Sequence, residues 1–345
     1  MQQCTVAEMQ AGNRFEGFLL VRNADQRTSS NGKKYLDMTL SDKTGDVNAK
    51  NWNESALPPE IGSVIKVRSQ LQEYNGRLQM KIDLMRPSTP ADDVDLRQLL
   101  ICAPRTSDDM LQEIYDTIDA MHTEDLQKIV REMLRMTGDQ LEYYPAAQRM
   151  HHAERSGLLH HTTSMLRSAK ALLPNYPFLN SDLLLSGVII HDLSKVVEMQ
   201  SDERGNVSDY TTKGLLLGHL VHGVVQIEEA ARRTGVSSEY VLLLQHMVIS
   251  HHEKPEFGSP RPPMFPEAQM LHMIDDMDAK MNEMEGVMRR TLPGAFSEKI
   301  WSLDRRLYHP DLPEAVQEEA AETEAAPAKP QRVSSADAYD GILKR

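Results

Sequence analysis

The chain is predicted to hold two domains of different class, a small β-barrel followed by an all-α domain. Three observations predict this. Residues 14–86 alternate apolar and polar side chains with a period of two, in short runs separated by turn residues. Beyond "RPSTPADD" (86–93) the apolar spacing becomes helical. Of the 13 histidines none precedes His122, and most lie between His151 and His272, so the two parts carry different chemistry.

Five strands are expected: "RFEGFLLVR" (14–22), "KYLDMTLSD" (34–42), "GDVNAKNWN" (45–53), "SVIKVRSQLQEY" (63–74) and "RLQMKIDLMR" (77–86). The stretches "SSNGK", "DKTGD" and "YNGR" separate them, and Asn75-Gly76 suits a tight hairpin. Five short strands in so few residues fit a Greek-key barrel of the OB type, with a β-sandwich fragment as the alternative. Residues 1–88 are taken as this domain and 89–150 as a linker and helical lead-in.

Helices are then expected over 107–121 and 123–136, with Ser107 or Asp108 and Thr123 as caps. Others follow at about 157–173, stopped by Pro174, at 182–197, at 214–234, stopped by Gly235, at 238–252 and at 266–290, with Pro266 in its first turn. The helical domain is placed at 151–309. Residues 310–345 are acidic, rich in Ala and Pro and poor in aromatics, and read as a disordered tail.

Composition narrows the function. The N-terminus lacks a signal-peptide pattern, and apolar runs such as Leu183 to Ile190 are far shorter than the ~20 residues that span a bilayer. Two cysteines without a CxxC pattern exclude a thiolate metal site or a disulfide framework and suit a reducing cytoplasm. The net charge of −13 is uneven: residues 1–90 hold 12 Lys/Arg against 10 Asp/Glu, the rest 26 against 41. The barrel is therefore the part less hostile to a phosphate backbone.

The helical segments carry His160 and His161; His191, Asp192 and Lys195; His219 and His222; His251 and His252; and Asp275, Asp276 and Asp278. Each group lies one helix and one connection from the next, so an antiparallel bundle can gather them around one cavity. Alone, an HD dipeptide is a weak signal and reads as a surface pair. With His161 before it and Asp275 after it, a metal site becomes the better reading. Imidazole and carboxylate without thiolate suit Mn²⁺, with Co²⁺, Fe²⁺, Mg²⁺ or Zn²⁺ as alternatives, one or two ions per site. Adjacent ligands on a helix diverge by about 100°, so His191 and Asp192 either serve two metals or clasp one from two sides. Lys195, on the face of His191, reaches for a phosphate held there. His246 and His272 read as core histidines, and His152 as a candidate substrate contact. On the barrel, Tyr35, Trp52, Tyr74 and Phe18 are candidates for base stacking, with Lys33, Lys34, Lys50, Arg68 and Arg77 for the phosphates.

The set His161, His191-Asp192 and Asp275 resembles the H…HD…D signature of the HD superfamily of metal-dependent phosphohydrolases. The resemblance implies that these four are core ligands. It implies that His219, His251 and His252 are further ligands of a binuclear site, and that Lys195 is the lysine of HD-x-x-K. Joined to the barrel, the pattern resembles the YhaM-type 3′→5′ exoribonucleases over about residues 6–290. That implies an enzyme shortening single-stranded RNA, or DNA, from the 3′ end, with Asp192 and Lys195 at the reacting phosphate, and a homo-oligomer. The sequence departs at Glu253, where a small residue is expected, and at His160, where a glutamate is usual. Two other readings stand beside it: an HD phosphohydrolase of free nucleotides, and a single-strand-binding module with a regulatory HD domain.

Overall fold

The computed structural model describes residues 3–92, 94–148 and 152–312. The expected tail therefore lies almost wholly outside the described residues. The chain divides into two compact units, Met1–Glu283 and Met284–Arg345, so the helical domain expected at 151–309 spans both.

The first unit begins with five strands: β1 (Arg14–Thr28), β2 (Lys34–Asp42), β3 (Gly45–Asn51), β4 (Val64–Tyr74) and β5 (Arg77–Pro87). They close a barrel in the order β1-β2-β3-β5-β4. Only β3 and β5 pair in parallel; the other neighbours are antiparallel. This is the OB arrangement. Alternation drives it: Phe15, Leu19, Val21, Leu36, Met38, Leu40, Val47, Ala49, Ile65, Val67, Leu71, Met80 and Ile82 fill one apolar core. β1 runs six residues past its expected end. After a register shift between Val21 and Asn23 it pairs with β2 alone and its side chains turn outward. The hairpin at Asn75-Gly76 forms as expected, with φ of 51° and 72°.

The segment read as a linker is tied down. Arg86 holds Asp92 through two hydrogen bonds of 2.8 and 2.6 Å, and Ser88 N donates to Val64 O. Leu99 and Leu100 are buried against Leu20 and Val64 of the barrel. The Pro, Ser and Asp content signalled the turn but not these contacts.

Helices follow: α1 (Ser107–Asp119), α2 (Glu124–Thr137), α3 (Gly157–Leu172), α4 (Ser181–Ile190), the short α5 (Lys195–Glu198), α6 (Thr212–Thr234), α7 (Glu239–Ser250) and α8 (Pro266–Met288). α2 is amphipathic: Leu126, Ile129, Val130, Met133 and Leu134 share its buried face. α4 is buried all round from Asp182 to Ile190, hence its lack of periodicity. The helix expected over 182–197 breaks after Ile190. The chain tightens there, with Leu193 N bonded to Ile190 O and Lys195 N to Asp192 O. A hairpin of β6 (Met199–Ser201) and β7 (Val207–Tyr210), which the sequence reading lacked, follows α5. α6 is interrupted at Gly218, whose φ of 67° and ψ of 170° only glycine adopts without strain.

No described helix is long and apolar enough to cross a membrane. Within the second unit, the described residues form antiparallel bridges between Phe296 and Tyr308 and between Ile300 and Arg305.

Candidate metal centre and nucleic-acid face

His161 comes from the second turn of α3, His191 caps the C-terminus of α4, and Asp192 begins the tightened turn after it. His219 follows the break in α6, His251 caps α7 with His252 next to it, and Asp275 lies on α8. The structure brings all seven together. The Asp192 carboxylate stands in the middle: Oδ2 lies 3.3 Å from His191 Nε2 and 3.8 Å from His161 Nε2. On its other side, Oδ1 lies 3.4 Å from His219 Nε2 and 3.7 Å from His251 Nε2. Asp275 Oδ1 completes the first group, 3.2 Å from His161 Nε2 and 4.0 Å from His191 Nε2. His252 joins the second group with His219 and His251.

Each imidazole is aimed by its other nitrogen. Nδ1 of His191, His251 and His252 donates to the carbonyls of Val188 (2.9 Å), Val248 (2.7 Å) and Phe257 (2.7 Å). Nδ1 of His219 meets Glu198 at 2.9 Å and that of His161 meets Asp278 at 2.8 Å. A neutral ring whose Nδ1 donates must present a lone pair at Nε2. Nε2 of His191, His219 and His251, with Asp192 Oδ1, is buried and has no hydrogen-bond partner among the described residues. Buried polar atoms in that state are costly unless something else binds them. Their ligand types suit divalent ions, so the donor set passes this test of fit.

The electrostatics agree. Burial opposes ionisation of Asp192, but Lys195, 2.7 Å away, and His191 outweigh it and hold the carboxyl well below the usual range. Burial likewise opposes Asp275, where His161 and His191 win. Burial drives His251 and His252 towards the neutral, ligating form. Burial would do the same to His161, yet Asp275 and Asp278 raise it to about 9. An ion arriving there displaces a proton.

Three groups have a supporting role that the sequence reading did not assign, though it named Asp278 among the helix carboxylates. Asp278 receives His161 Nδ1, His152 Nε2 at 2.8 Å and the Ser164 hydroxyl. Its signal was the i, i+3 spacing from Asp275. Glu198 orients His219, helped by Gly214, where a Cβ would lie 2.1 Å from Glu198 O. Glu154 meets His160 Nδ1 at 2.7 Å, so an acid does stand beside the ligand helix, six residues from its expected place. His152, the candidate substrate contact, is buried, with its Nε2 2.8 Å from Asp278. His272 supports the paired histidines through His251 O, at 2.8 Å. His246 accepts from Met264 N. Glu253 sits at φ 64°, the left-handed region that explains why a small residue is expected there.

On the barrel the candidates separate. Tyr35 and Trp52 stack with ring centres 4.6 Å apart, and Lys50 Nζ lies 5.1 Å from the Tyr35 ring and 5.8 Å from that of Tyr74. Trp52 and Tyr74 remain 45% and 56% exposed, enough surface to receive a base. Beside them runs a row of amides unforeseen from sequence: Gln72 to Gln79 (3.1 Å), Gln79 to Asn48 (2.8 Å) and Asn48 to Asp37 (2.9 Å). Lys33 and Lys34 stand exposed at the β1–β2 turn and Arg77 at the β4–β5 turn. Phe18 and Arg68 do not join this face. Phe18 packs into the seam with Leu20 and Leu99, under Lys66, and Arg68 is held by Glu16 at 2.9 Å.

The HD domain family matches residues 158–280. A 3′-5′ exoribonuclease YhaM of Geobacillus sp. is 42% identical over 310 residues, 88% of this chain and 94% of that one. The protein of the same description from Listeria innocua is 40% identical over 306 residues, 88% and 96% of the two chains. The second OB-fold domain of replication protein A from Methanococcus maripaludis aligns with 25% of this chain and 94% of its own, at 18% identity and a TM-score of 0.22.

Proposed function

This chain belongs to the YhaM family of 3′-5′ exoribonucleases, and on that premise we propose that the residues gathered around Asp192 would hold two divalent ions and serve hydrolysis of the terminal phosphodiester of RNA. One observation carries the reading: the two oxygens of one buried carboxylate face two separate groups of ligands. A carboxylate so placed would contribute an oxygen to each of the two ligand groups. His161, His191, Asp192 and Asp275 would hold the first ion, and Asp192, His219, His251 and His252 the second. When bound, divalent ions supply Lewis acidity, a more acidic water and neutralised phosphoryl charge. Mn²⁺ is the proposed metal.

The chain's own residues do the rest. Lys195 is held cationic by Asp192, against the pull of burial, and offsets charge on the phosphoryl oxygens. Asp278 and Glu198 fix the rings of His161 and His219. Residues 1–88 hold the strand: bases rest on Trp52, Tyr35 and Tyr74, while Lys50, Lys33, Lys34 and Arg77 follow the phosphates, in single-stranded RNA or DNA. Residues 89–150 join this part to the phosphohydrolase region proposed at 151–309. A homo-oligomer belongs to the same reading and is supported by exposed Leu215 and Leu216. Its place of work is the cytoplasm, on the cysteine usage.

The test follows degradation of a 5′-labelled single-stranded RNA with Mn²⁺, alongside metal content per chain. The wild type should yield a ladder shortening from the 3′ end and bind two ions, and Asp192→Ala should do neither. An Asp192→Ala protein that still degrades RNA would remove the carboxylate from the mechanism.

A further inference from the structure

A polar cavity of about 290 Å³ opens on the segment that leads from the barrel to the helices. Its wall carries three guanidinium groups, those of Arg97, Arg105 and Arg155, against one carboxylate, that of Asp95. This is an unexpected balance in a region that carries excess acid. Arg105 has its charge matched by Glu113. Among the described residues, the Arg155 guanidinium donates to neutral oxygens alone, Glu203 O at 3.1 Å and Ser156 Oγ at 3.4 Å. Arg97 is exposed, and its guanidinium has no ion pair among the described residues. Asp95 is occupied with the Arg97 backbone amide and the Gln98 side chain. The cavity therefore keeps positive charge unmatched by its own wall.

The surroundings fix its position. Leu99 and Leu100 pack on the barrel, Lys43 N bonds to Gln98 O, and residue 102 bridges to residue 155 through Arg155 N to Ile101 O and Ala103 N to Arg155 O. Ser156, on the cavity wall, is the cap residue of α3, the helix that presents His161. One side of the cavity is thus tied to the barrel and the other to the metal centre.

We propose that this arginine-lined cavity is a phosphate-binding subsite, taking a backbone phosphate of the RNA strand between the barrel and the metal centre. Guanidinium forks grip phosphate oxygens bidentately, and an unpaired pair of them is the chemistry that recognises such a group. A free phosphate or mononucleotide offers the same chemistry, so the two sources are separated by experiment. The inference rests on the reading that RNA passes from barrel to metal centre, but its test does not depend on catalysis.

Cys102 also lines the cavity and serves as a reporter. In full-length Cys4→Ser protein loaded with metal, the rate of Cys102 modification by N-ethylmaleimide is followed alone and with three probes. These are inorganic phosphate, adenosine monophosphate, and an RNA of roughly ten nucleotides, within the ~4–16 that one OB barrel covers, blocked at its 3′ end by phosphorothioate linkages. RNA should protect Cys102, and Arg97→Gln should remove the protection. The same variant should bind the RNA about tenfold more weakly, the scale of one charge-assisted hydrogen bond. Its log K against log salt should flatten by ~0.7, one phosphate contact on a single strand. Protection by RNA alone assigns the subsite to the strand, and equal protection by the small anions shows that it also takes free phosphate. No protection by any probe, or protection that survives Arg97→Gln unchanged, overturns the proposal. Degradation of unblocked RNA by the same wild-type preparation would then leave the exonuclease reading standing.

Discussion

The metal centre and the barrel face handle polar groups in opposite ways. In the helical region the proposed ligand rings of His161, His191, His219 and His251 are buried and that of His252 is half-buried, and the second nitrogen of each is committed, to a backbone carbonyl for His191, His251 and His252 and to a carboxylate for His161 and His219. On the barrel, Trp52 and Tyr74 stay exposed: Trp52 stacks on Tyr35, and Lys50 lies near the rings of Tyr35 and Tyr74. Hydrolysis needs atoms fixed to fractions of an ångström, so its groups are locked before substrate arrives. Holding a strand of any sequence needs faces that accept every base, so those groups are left adaptable.

The contrast can be broken at several points. The largest effect is expected at Asp192, the one residue shared by both ligand groups. Asp192→Asn should cost at least ~10³-fold in rate, as loss of a principal electrostatic group does, and single-turnover degradation measures it. Retention of more than a tenth of the rate would show the two ligand groups to be independent. Next come the orienting carboxylates. Asp278→Asn and Glu198→Gln should each lower metal affinity or activity by ~10–100-fold, and metal titration should assign each loss to its own ion. A shared loss would mean that the two positions are rigidly coupled.

Trp52→Ala sharpens the comparison from the other side. It should weaken binding of oligomers by the ~1–3 kcal/mol of one stacked base, seen in KM, with metal content untouched. A fall in kcat at saturating RNA would show that the barrel also positions the scissile bond. The smallest effect is expected at Glu154. Burial opposes its charge, but His152 and His160 lower its pKa from 4.5 to about 2. The stabilisation is therefore present above about pH 4.5 and is lost as pH falls through about 2. The melting-temperature gap between wild type and Glu154→Gln should stay constant above that window and close within it. A constant gap throughout would assign the effect to packing.

Legibility in the sequence divides along the same line. The barrel is legible because alternation at period two and the Asn75-Gly76 turn are local signals. That the helical histidines and carboxylates gather is legible from residue type and spacing, while the choice of His161, His191, Asp192, His219, His251, His252 and Asp275 among them came from the resemblance to HD phosphohydrolases. The break after Ile190 is not, because α4 is apolar on every side and carries no period to interrupt. The roles of Glu198, Glu154 and Asp278 were missed because each acts through a hydrogen bond on a ring whose sequence distance says nothing of its tilt. The amide row from Gln72 to Asp37 crosses four strands, so it exists only once their register is set. Phe18 read as a stacking residue because a barrel exterior and a domain seam have the same strand pattern.

The dispersal of the ligands along the chain also bears on the protein's own birth. His161 leaves the ribosome more than 100 residues before Asp275 and Asp278, which close the first ligand group and aim its ring. At ~5–20 residues per second, that gap lasts roughly 6 to 23 s. Throughout it, the residues of the barrel, Arg14–Pro87, have already been made and form a unit of local contacts that can fold first. Because the last carboxylates arrive late, the first ligand group is complete only more than 100 residues after His161 has emerged.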